Sequence, residues 1–182
     1  GRMLIGALAV TGIGALVPFL SLGPNPATAF KVTPWRRGQR VVDEQGRPVR
    51  ADAINTDGLL TVFPDGSVGD EFAQTLLLGV RAEAYRPAPG REGWTVDGVA
   101  AFSKLCTHAG CPVGLYQAQQ GLLLCPCHQS TFDINNGAEV MFGPAAVPLP
   151  QLPLATDGDG YLVADGELSA PPGPGFWNQR VP

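Results

Sequence analysis

Charge is scarce in this 182-residue sequence, and histidine and cysteine are scarcer still. Only 15% of the residues are charged, the formal net charge is −4, and no long stretch rich in lysine and arginine, of the kind that binds phosphates, occurs. Proteins that bind nucleic acids carry basic patches or stripes, so we expect no nucleic-acid partner. Internal repeats and low-complexity segments are also missing from the sequence. What remains is a length suited to one ordinary domain and a short additional segment.

Glycine and proline, in contrast, are abundant. The chain has 24 glycines and 18 prolines, a composition typical of tight turns and short strands rather than long helices. Apolar runs bounded by turn residues predict strands at residues 40–43, 49–54, 59–63, 99–102 and 122–124. Residues 71–80 fit either a strand or a short helix. We therefore predict a mainly β, antiparallel fold.

All four cysteines and both histidines lie within residues 106–128. They form two triplets, Cys106-Thr-His108-Ala-Gly-Cys111 and Cys125-Pro-Cys127-His128, each with one Cys–His pair and one further cysteine. A structural zinc site requires only four nitrogen or sulfur ligands and is one interpretation. Two thiolates with two imidazoles are also the ligands of a 2Fe–2S cluster that has cysteine on one iron and histidine on the other.

The two triplets, the second extended by Gln129 and Ser130, resemble the cluster-binding loops of the Rieske iron–sulfur proteins of cytochrome bc complexes. Residues 142–154 resemble the proline-rich third loop of that family, and Phe176-Trp177 resembles the terminal segment of its actinobacterial-type subunits. The resemblance is specific over residues 99–182. It implies a Rieske-type β-sandwich head with one 2Fe–2S cluster, held in a subdomain inserted at residues 102–148.

The resemblance also implies the metal ligands. Cys106 and Cys125 are the expected thiolate ligands of the inner iron. His108 and His128 are the expected ligands of the outer iron and the catalytic residues toward quinol. Neutral imidazoles in place of thiolates raise the potential above that of all-cysteine clusters, and reduction is coupled to proton uptake at histidine.

Four further residues are expected to line the cofactor. Gly110 permits tight loop geometry, and Pro144 belongs to the third loop. Ser130 matches a family serine that donates to a bridging sulfide and raises the potential. Phe132 replaces the tyrosine by which high-potential members donate to a cysteine ligand, so we expect a lower potential, suited to menaquinol. Packing alone would also explain Phe132.

Residues 3–22 contain no charged side chain, and about 20 helical residues span about 30 Å, the thickness of a bilayer core. We predict a transmembrane anchor at residues 1–22, with a cleaved signal peptide or a buried helix as alternatives. Residues 23–29 are rich in breakers and predict a neck, either flexible, as the resemblance implies, or an ordinary ordered linker. The head then covers residues 30–182.

Cys111 and Cys127 would lie in two neighbouring loops, where a disulfide between them is possible. A disulfide belongs in an oxidising compartment, so we expect the cell membrane with the head on the extracytoplasmic side. The family implies electron transfer from quinol to a c-type cytochrome, within a dimeric multi-subunit complex that contains a cytochrome b subunit. Alternatives are a Rieske ferredoxin or oxygenase component, the Rieske subunit of a molybdenum oxidase, and a zinc-stabilised binding module.

Overall fold

The computed structural model describes residues 33–174, which form short antiparallel strands and a single turn of 3₁₀ helix, Ala51–Ala53. The eleven strands of this part are β1 (Val41–Val42), β2 (Leu59–Pro64), β3 (Thr75–Gly79), β4 (Val99–Ser103), β5 (Leu115–Gln117), β6 (Leu122–Leu124), β7 (Thr131–Asp133), β8 (Glu139–Phe142), β9 (Gln151–Leu152), β10 (Leu154–Thr156) and β11 (Leu162–Ala164). The predicted mainly β, antiparallel class is confirmed.

Between residues 33 and 174, no helix is long and apolar enough to cross a membrane. The predicted anchor at residues 1–22 and the predicted neck at residues 23–29 lie outside the described residues, as does Phe176-Trp177.

The base of the head is a five-stranded sheet in the order β1-β2-β3-β4-β9, accompanied by the β10-β11 hairpin. Every residue of β3 and β4 is buried. Successive side chains of a strand point to opposite faces, and β3 shows this clearly. Leu77 packs in one core with Trp35 and Leu162, whereas Leu76 and Leu78 pack in a second core. The sheet is therefore covered on both faces.

A second sheet, in the order β5-β6-β7-β8, supplies the other half of that second core. Its residues are inserted between β4 and β9, which pair with each other in the base sheet through Phe102 and Gln151. The insertion thus leaves and re-enters the base at adjacent positions. Both cysteine-containing segments lie within it, the first between β4 and β5 and the second between β6 and β7.

The strands predicted at 40–43, 59–63, 99–102 and 122–124 are confirmed, with β1 limited to two residues. The strand predicted at 49–54 is wrong beyond Arg50, which forms an isolated antiparallel bridge with Tyr161. Val49 pairs with Val41, but the chain then turns through Ala51–Ala53, closed by the N–H of Ile54 donating to the carbonyl of Ala51. These turn residues are not β-branched, so little favours an extended backbone there. In residues 71–80 the strand interpretation holds from Thr75.

Candidate metal centre

Two hairpin loops of equal length carry the cysteines and histidines. We call residues 106–111 the first loop and residues 125–130 the second loop. The residues that flank each loop pair across its hairpin, Leu105 with Pro112 and Leu124 with Thr131. The insertion therefore presents its six metal-ligand candidates on two matching scaffolds.

The backbone hydrogen bonds of the two loops are also the same. In each loop the first residue donates its N–H to the carbonyl of the sixth, and the fifth donates to the carbonyl of the first. The distances are 2.8 and 2.9 Å in the first loop and 2.8 and 3.0 Å in the second. The fifth residue takes the left-handed conformation in both, Gly110 at φ 79° and Gln129 at φ 61°. Glycine adopts this conformation without penalty, whereas glutamine does so at a cost.

The first residue of each loop is a buried free cysteine. Cys106 and Cys125 are each 1% exposed and belong to the core shared with Phe132. Burial raises the pKa of the Cys106 thiol, and hydrogen bonds from the backbone N–H of His108 and from Ser130 act in the opposite direction. Donors directed at sulfur are the arrangement that stabilises a metal-bound thiolate.

Cys111 and Cys127 form a disulfide that joins the two loops, so the predicted pairing is present. The sulfur of Cys125 lies close to it: the sulfurs of Cys111, Cys125 and Cys127 are all within 4.8 Å of one another. These three atoms have the proximity of a metal site, but two of them are bonded to each other. Only thiolates bind metals well, so this trio is not the metal site.

The two histidines lie side by side. Their ring centroids are 4.6 Å apart and the rings are nearly perpendicular, at 86°. His108 is half-buried and His128 is exposed. The Nδ1 atom of His108 is buried and has no hydrogen-bond partner. A buried polar atom without a partner is costly and rare, and a metal ion would remove that cost. These donors therefore suit a group that binds both thiolates and imidazoles.

The chain between β8 and β9, residues 143–150, forms a third loop that packs on the second. Gly143 has φ 92°, and a Cβ atom added there would lie 2.6 Å from the Cα of Ser130. Only glycine allows this close approach. The N–H of Ala145 donates to Ser130 Oγ at 3.1 Å, which leaves the hydroxyl proton of this fully buried serine free to point at sulfur.

The first loop is held by the third loop and by the C-terminal part of the described chain. Thr107 donates its hydroxyl to the carbonyl of Val147 at 2.6 Å. A Cβ atom added to Gly110 would lie 3.6 Å from Cδ of Pro174, an ordinary van der Waals distance. The first loop is thus covered on two sides.

The residues predicted to line the cofactor occupy different settings. Ser130 and Phe132 are fully buried, Gly110 is at the left-handed position of the first loop, and Pro144 is exposed. Sequence reasoning missed Thr107 and Ala145, which act through contacts distant in sequence and leave no local signal. Gly143 was detectable, because a glycine before proline at a strand end indicates unusual backbone.

Comparisons with known proteins agree with this geometry. Residues 69–153 match the family model described as the Rieske [2Fe-2S] domain. A Streptomyces lividans protein named cytochrome bc1 complex Rieske iron-sulfur subunit is 39% identical over 166 residues, covering 87% of this chain and 98% of that protein. The chain belongs to the family of Rieske iron–sulfur subunits of cytochrome bc1 complexes. It holds one Rieske 2Fe–2S cluster, through which it transfers electrons.

Other Rieske proteins are also similar. A subunit of the same name from Streptomyces coelicolor is 38% identical over 184 residues, covering 97% of this chain, but the chain spans only 52% of that relative. A Haloferax mediterranei protein named putative respiratory nitrate reductase subunit Rieske is 42% identical, covering 76% of this chain and 61% of that protein. Among solved structures, the soluble domain of Rieske protein II from Sulfolobus acidocaldarius matches with TM-score 0.48 and 24% identity, covering 59% of this chain and 68% of that chain.

Proposed function

We propose that Cys106 and Cys125 hold the inner iron of the Rieske cluster and that His108 and His128 hold the outer iron. The observation that carries this proposal is the buried Nδ1 atom of His108, which has no partner in the described protein. It lies in the same loop as the buried free thiol of Cys106, and its ring meets the ring of His128. This set of donors leaves the disulfide intact and gives that nitrogen a partner.

When bound, a Rieske cluster exchanges one electron at a potential above that of all-cysteine clusters. The rest of the chemistry belongs to this chain. Cys106 and Cys125 are both buried, so water would be excluded from the side of the cluster that they hold. His128 is exposed, so its imidazole can accept a hydrogen bond from a substrate hydroxyl and then its proton. His108 lies beside it, half-buried, and would be the second imidazole able to accept a proton.

The substrate we propose is a quinol, specifically menaquinol. Residues 105–132 and 140–156 surround the histidines in sequence and contain no charged side chain. An uncharged surface with apolar loop tips suits a lipid-soluble hydroxyl donor and not a charged metabolite. Phe132 is fully buried and offers no hydroxyl to a cysteine sulfur, which supports a low-potential cluster and hence a low-potential quinol.

The assembly we propose is a membrane-bound quinol–cytochrome c oxidoreductase on the extracytoplasmic face. The cytochrome b subunit would present the quinol, and a c-type cytochrome would receive the electron. The names of the Streptomyces relatives support this assignment, and the disulfide supports an oxidising compartment. The transmembrane anchor predicted at residues 1–22 would attach this chain to the membrane.

A second candidate assembly is favoured by the Haloferax relative, whose name places its Rieske subunit with a respiratory nitrate reductase. Purification of the native complex from membranes distinguishes the two. We expect haem-containing cytochrome b and cytochrome c subunits to co-purify with this chain. A nitrate-reducing subunit in their place would overturn the quinol–cytochrome c proposal while leaving the cluster assignment unaffected.

The ligand assignment is tested by Cys106→Ser, with Cys111→Ser as the matched control in the same loop. Each variant removes one sulfur, but only the first removes a ligand. We expect the unaltered chain to contain two irons and two acid-labile sulfides, with an electron paramagnetic resonance signal when reduced. Cys106→Ser should lose that signal, and Cys111→Ser should retain it with faster cluster loss. A chain containing one zinc and no labile sulfide would refute the assignment.

A further inference from the structure

The close approach of Cys125 to the disulfide has a chemical consequence that cluster binding does not use. Its sulfur and the two disulfide sulfurs are mutually within 4.8 Å, and Cys106 is not a member of this group. Cys125 is a free cysteine, 1% exposed. External thiols cannot easily reach it, whereas both sulfurs of the neighbouring disulfide lie within 4.8 Å of its own sulfur.

We propose that, before the chain receives its cluster, Cys125 exchanges with the Cys111–Cys127 disulfide to give a Cys111–Cys125 disulfide and a free Cys127 thiol. The Cys125 thiol releases its proton to water, and the resulting thiolate attacks the sulfur of Cys111 to form the new S–S bond. The old S–S bond breaks, its electron pair leaves on the sulfur of Cys127, and that thiolate takes up a proton from water. One disulfide and two thiols are present before and after, so no external oxidant or reductant is required.

The burial of the three cysteines determines the direction of the exchange. Cys127 is exposed, whereas Cys111 is partly buried. A departing thiolate is stabilised by hydration, so attack at Cys111 with departure of Cys127 is favoured over the reverse. The product then carries its free thiol on the surface of the second loop, where a reagent can detect it.

The exchange matters because it consumes a ligand. If Cys125 binds iron, as proposed above, the rearranged chain lacks one of its four ligands and cannot hold the cluster. Bound iron would in turn keep Cys125 from attacking. This consequence rests on the proposed ligand assignment. It follows that the cluster has to be inserted before the disulfide forms, or that a thiol reductant has to accompany insertion.

The test uses the full chain in mild detergent, produced without iron and oxidised to the Cys111–Cys127 disulfide. The folded chain is incubated with a maleimide, and its disulfides and labels are located by peptide mass spectrometry. Because maleimide traps the released thiol, we expect Cys127 labelling to approach completion over minutes to hours, the range of uncatalysed disulfide rearrangement. The linked Cys111–Cys125 peptide should increase in parallel.

Two matched variants control for folding and for the loss of a ligand. Cys106→Ser keeps Cys125 and should still label at Cys127, whereas Cys125→Ser should show only background labelling. A urea-denatured sample should bring Cys106 into mixed disulfides, and the folded sample should not. A Cys111–Cys127 bond that persists in the folded chain would overturn the proposal, as would equal labelling of both variants or native cross-linking of Cys106.

The same measurement on the cluster-loaded chain separates the exchange from the ligand assignment. We expect no Cys127 label while the cluster remains bound. Labelling of Cys127 in the loaded chain would show that exchange occurs but that Cys125 is not held by iron. The ligand assignment would then fail and the exchange would stand.

Discussion

The first and second loops have the same length and the same backbone hydrogen bonds, yet their surroundings differ. In the first loop Cys106 and Thr107 are buried, and the third loop and Pro174 contact it. In the second loop the third loop contacts the buried Ser130, but residues 126–129 are all exposed. The shared hairpin therefore positions one cysteine and one histidine in each loop. The cover around each loop decides how far its histidine reaches into solvent.

The largest loss of stability is expected from a substitution that pushes the third loop away from the second loop. Gly143→Ala adds a Cβ atom 2.6 Å from the Cα of Ser130, at a φ of 92°. Left-handed strain of about 1–2 kcal/mol and overpacking of about 1–3 kcal/mol add to about 2–5 kcal/mol. We expect the urea unfolding midpoint to fall accordingly.

Gly158→Ala is the control for that substitution, because Gly158 has no atom within 4 Å of its added Cβ. Its unfolding midpoint should change little. Similar unfolding midpoints for the two variants would show that the third loop does not pack tightly against the second loop.

The next effect concerns hydrogen bonds to sulfur. Ser130→Ala removes a buried hydroxyl whose proton is free to point at sulfur, and Phe132→Tyr would add a hydroxyl at the fully buried aromatic position. Hydrogen bonds to charged groups are worth about 1.5–3 kcal/mol. At 59 mV for a factor of ten in a one-electron couple, the shifts should reach about 60–130 mV. Protein-film voltammetry should show a lower potential for Ser130→Ala and a higher one for Phe132→Tyr.

An unchanged potential in Phe132→Tyr, with a lowered one in Ser130→Ala, would mean that the aromatic position only packs. The proposal of menaquinol would then lose its main support. A Phe132→Leu variant, which packs without any hydroxyl, controls for changes that arise from core packing alone.

The fifth residue of each loop takes the left-handed conformation, but it is Gly110 in the first loop and Gln129 in the second. Substitutions at these two positions therefore test directly whether the loops match. Gly110→Ala should destabilise the chain by about 1–2 kcal/mol. Gln129→Gly should relieve similar strain of about 1–2 kcal/mol, offset by about 0.5–1 kcal/mol of added unfolded-state entropy, for a net gain of about 0–1.5 kcal/mol. Urea unfolding followed by near-ultraviolet circular dichroism measures both. Destabilisation of equal size in both variants would contradict the matching of the two loops.

The smallest effect is expected at the contact that covers the first loop alone. Thr107→Val keeps the shape of the side chain but removes the hydroxyl that donates to the carbonyl of Val147. We expect a loss of about 0.5–1.5 kcal/mol and faster loss of the cluster on heating. Thr107→Ser retains the hydroxyl and should lie close to the unaltered chain. A Thr107→Ser variant as unstable as Thr107→Val would point to the methyl group instead.

Much of this arrangement was predictable from the sequence, because its signals are local. The apolar run of β4 indicated a strand, the run that contains β3 fitted either a strand or a short helix, and the spacing of cysteine and histidine indicated one metal site built from two loops. The turn at Ala51–Ala53 was missed because the preceding Val49 does pair as in a strand. The N–H of Ala145 was missed because it meets Ser130 across 15 residues. Such contacts depend on tertiary packing, which no local pattern encodes.

In the proposed ligand assignment, each loop supplies one histidine ligand to the cluster. The most direct test is to detect which histidine nitrogens are bound to iron. Pulsed electron paramagnetic resonance of the reduced full chain, with histidine as the only ¹⁵N-labelled residue, reports nitrogens bound to iron. The chain contains just two histidines, one in each loop. We expect strong couplings from two histidine nitrogens, one of which disappears in His128→Cys. Strong coupling from only one histidine, or from none, would contradict the assignment of His108 and His128 to the cluster.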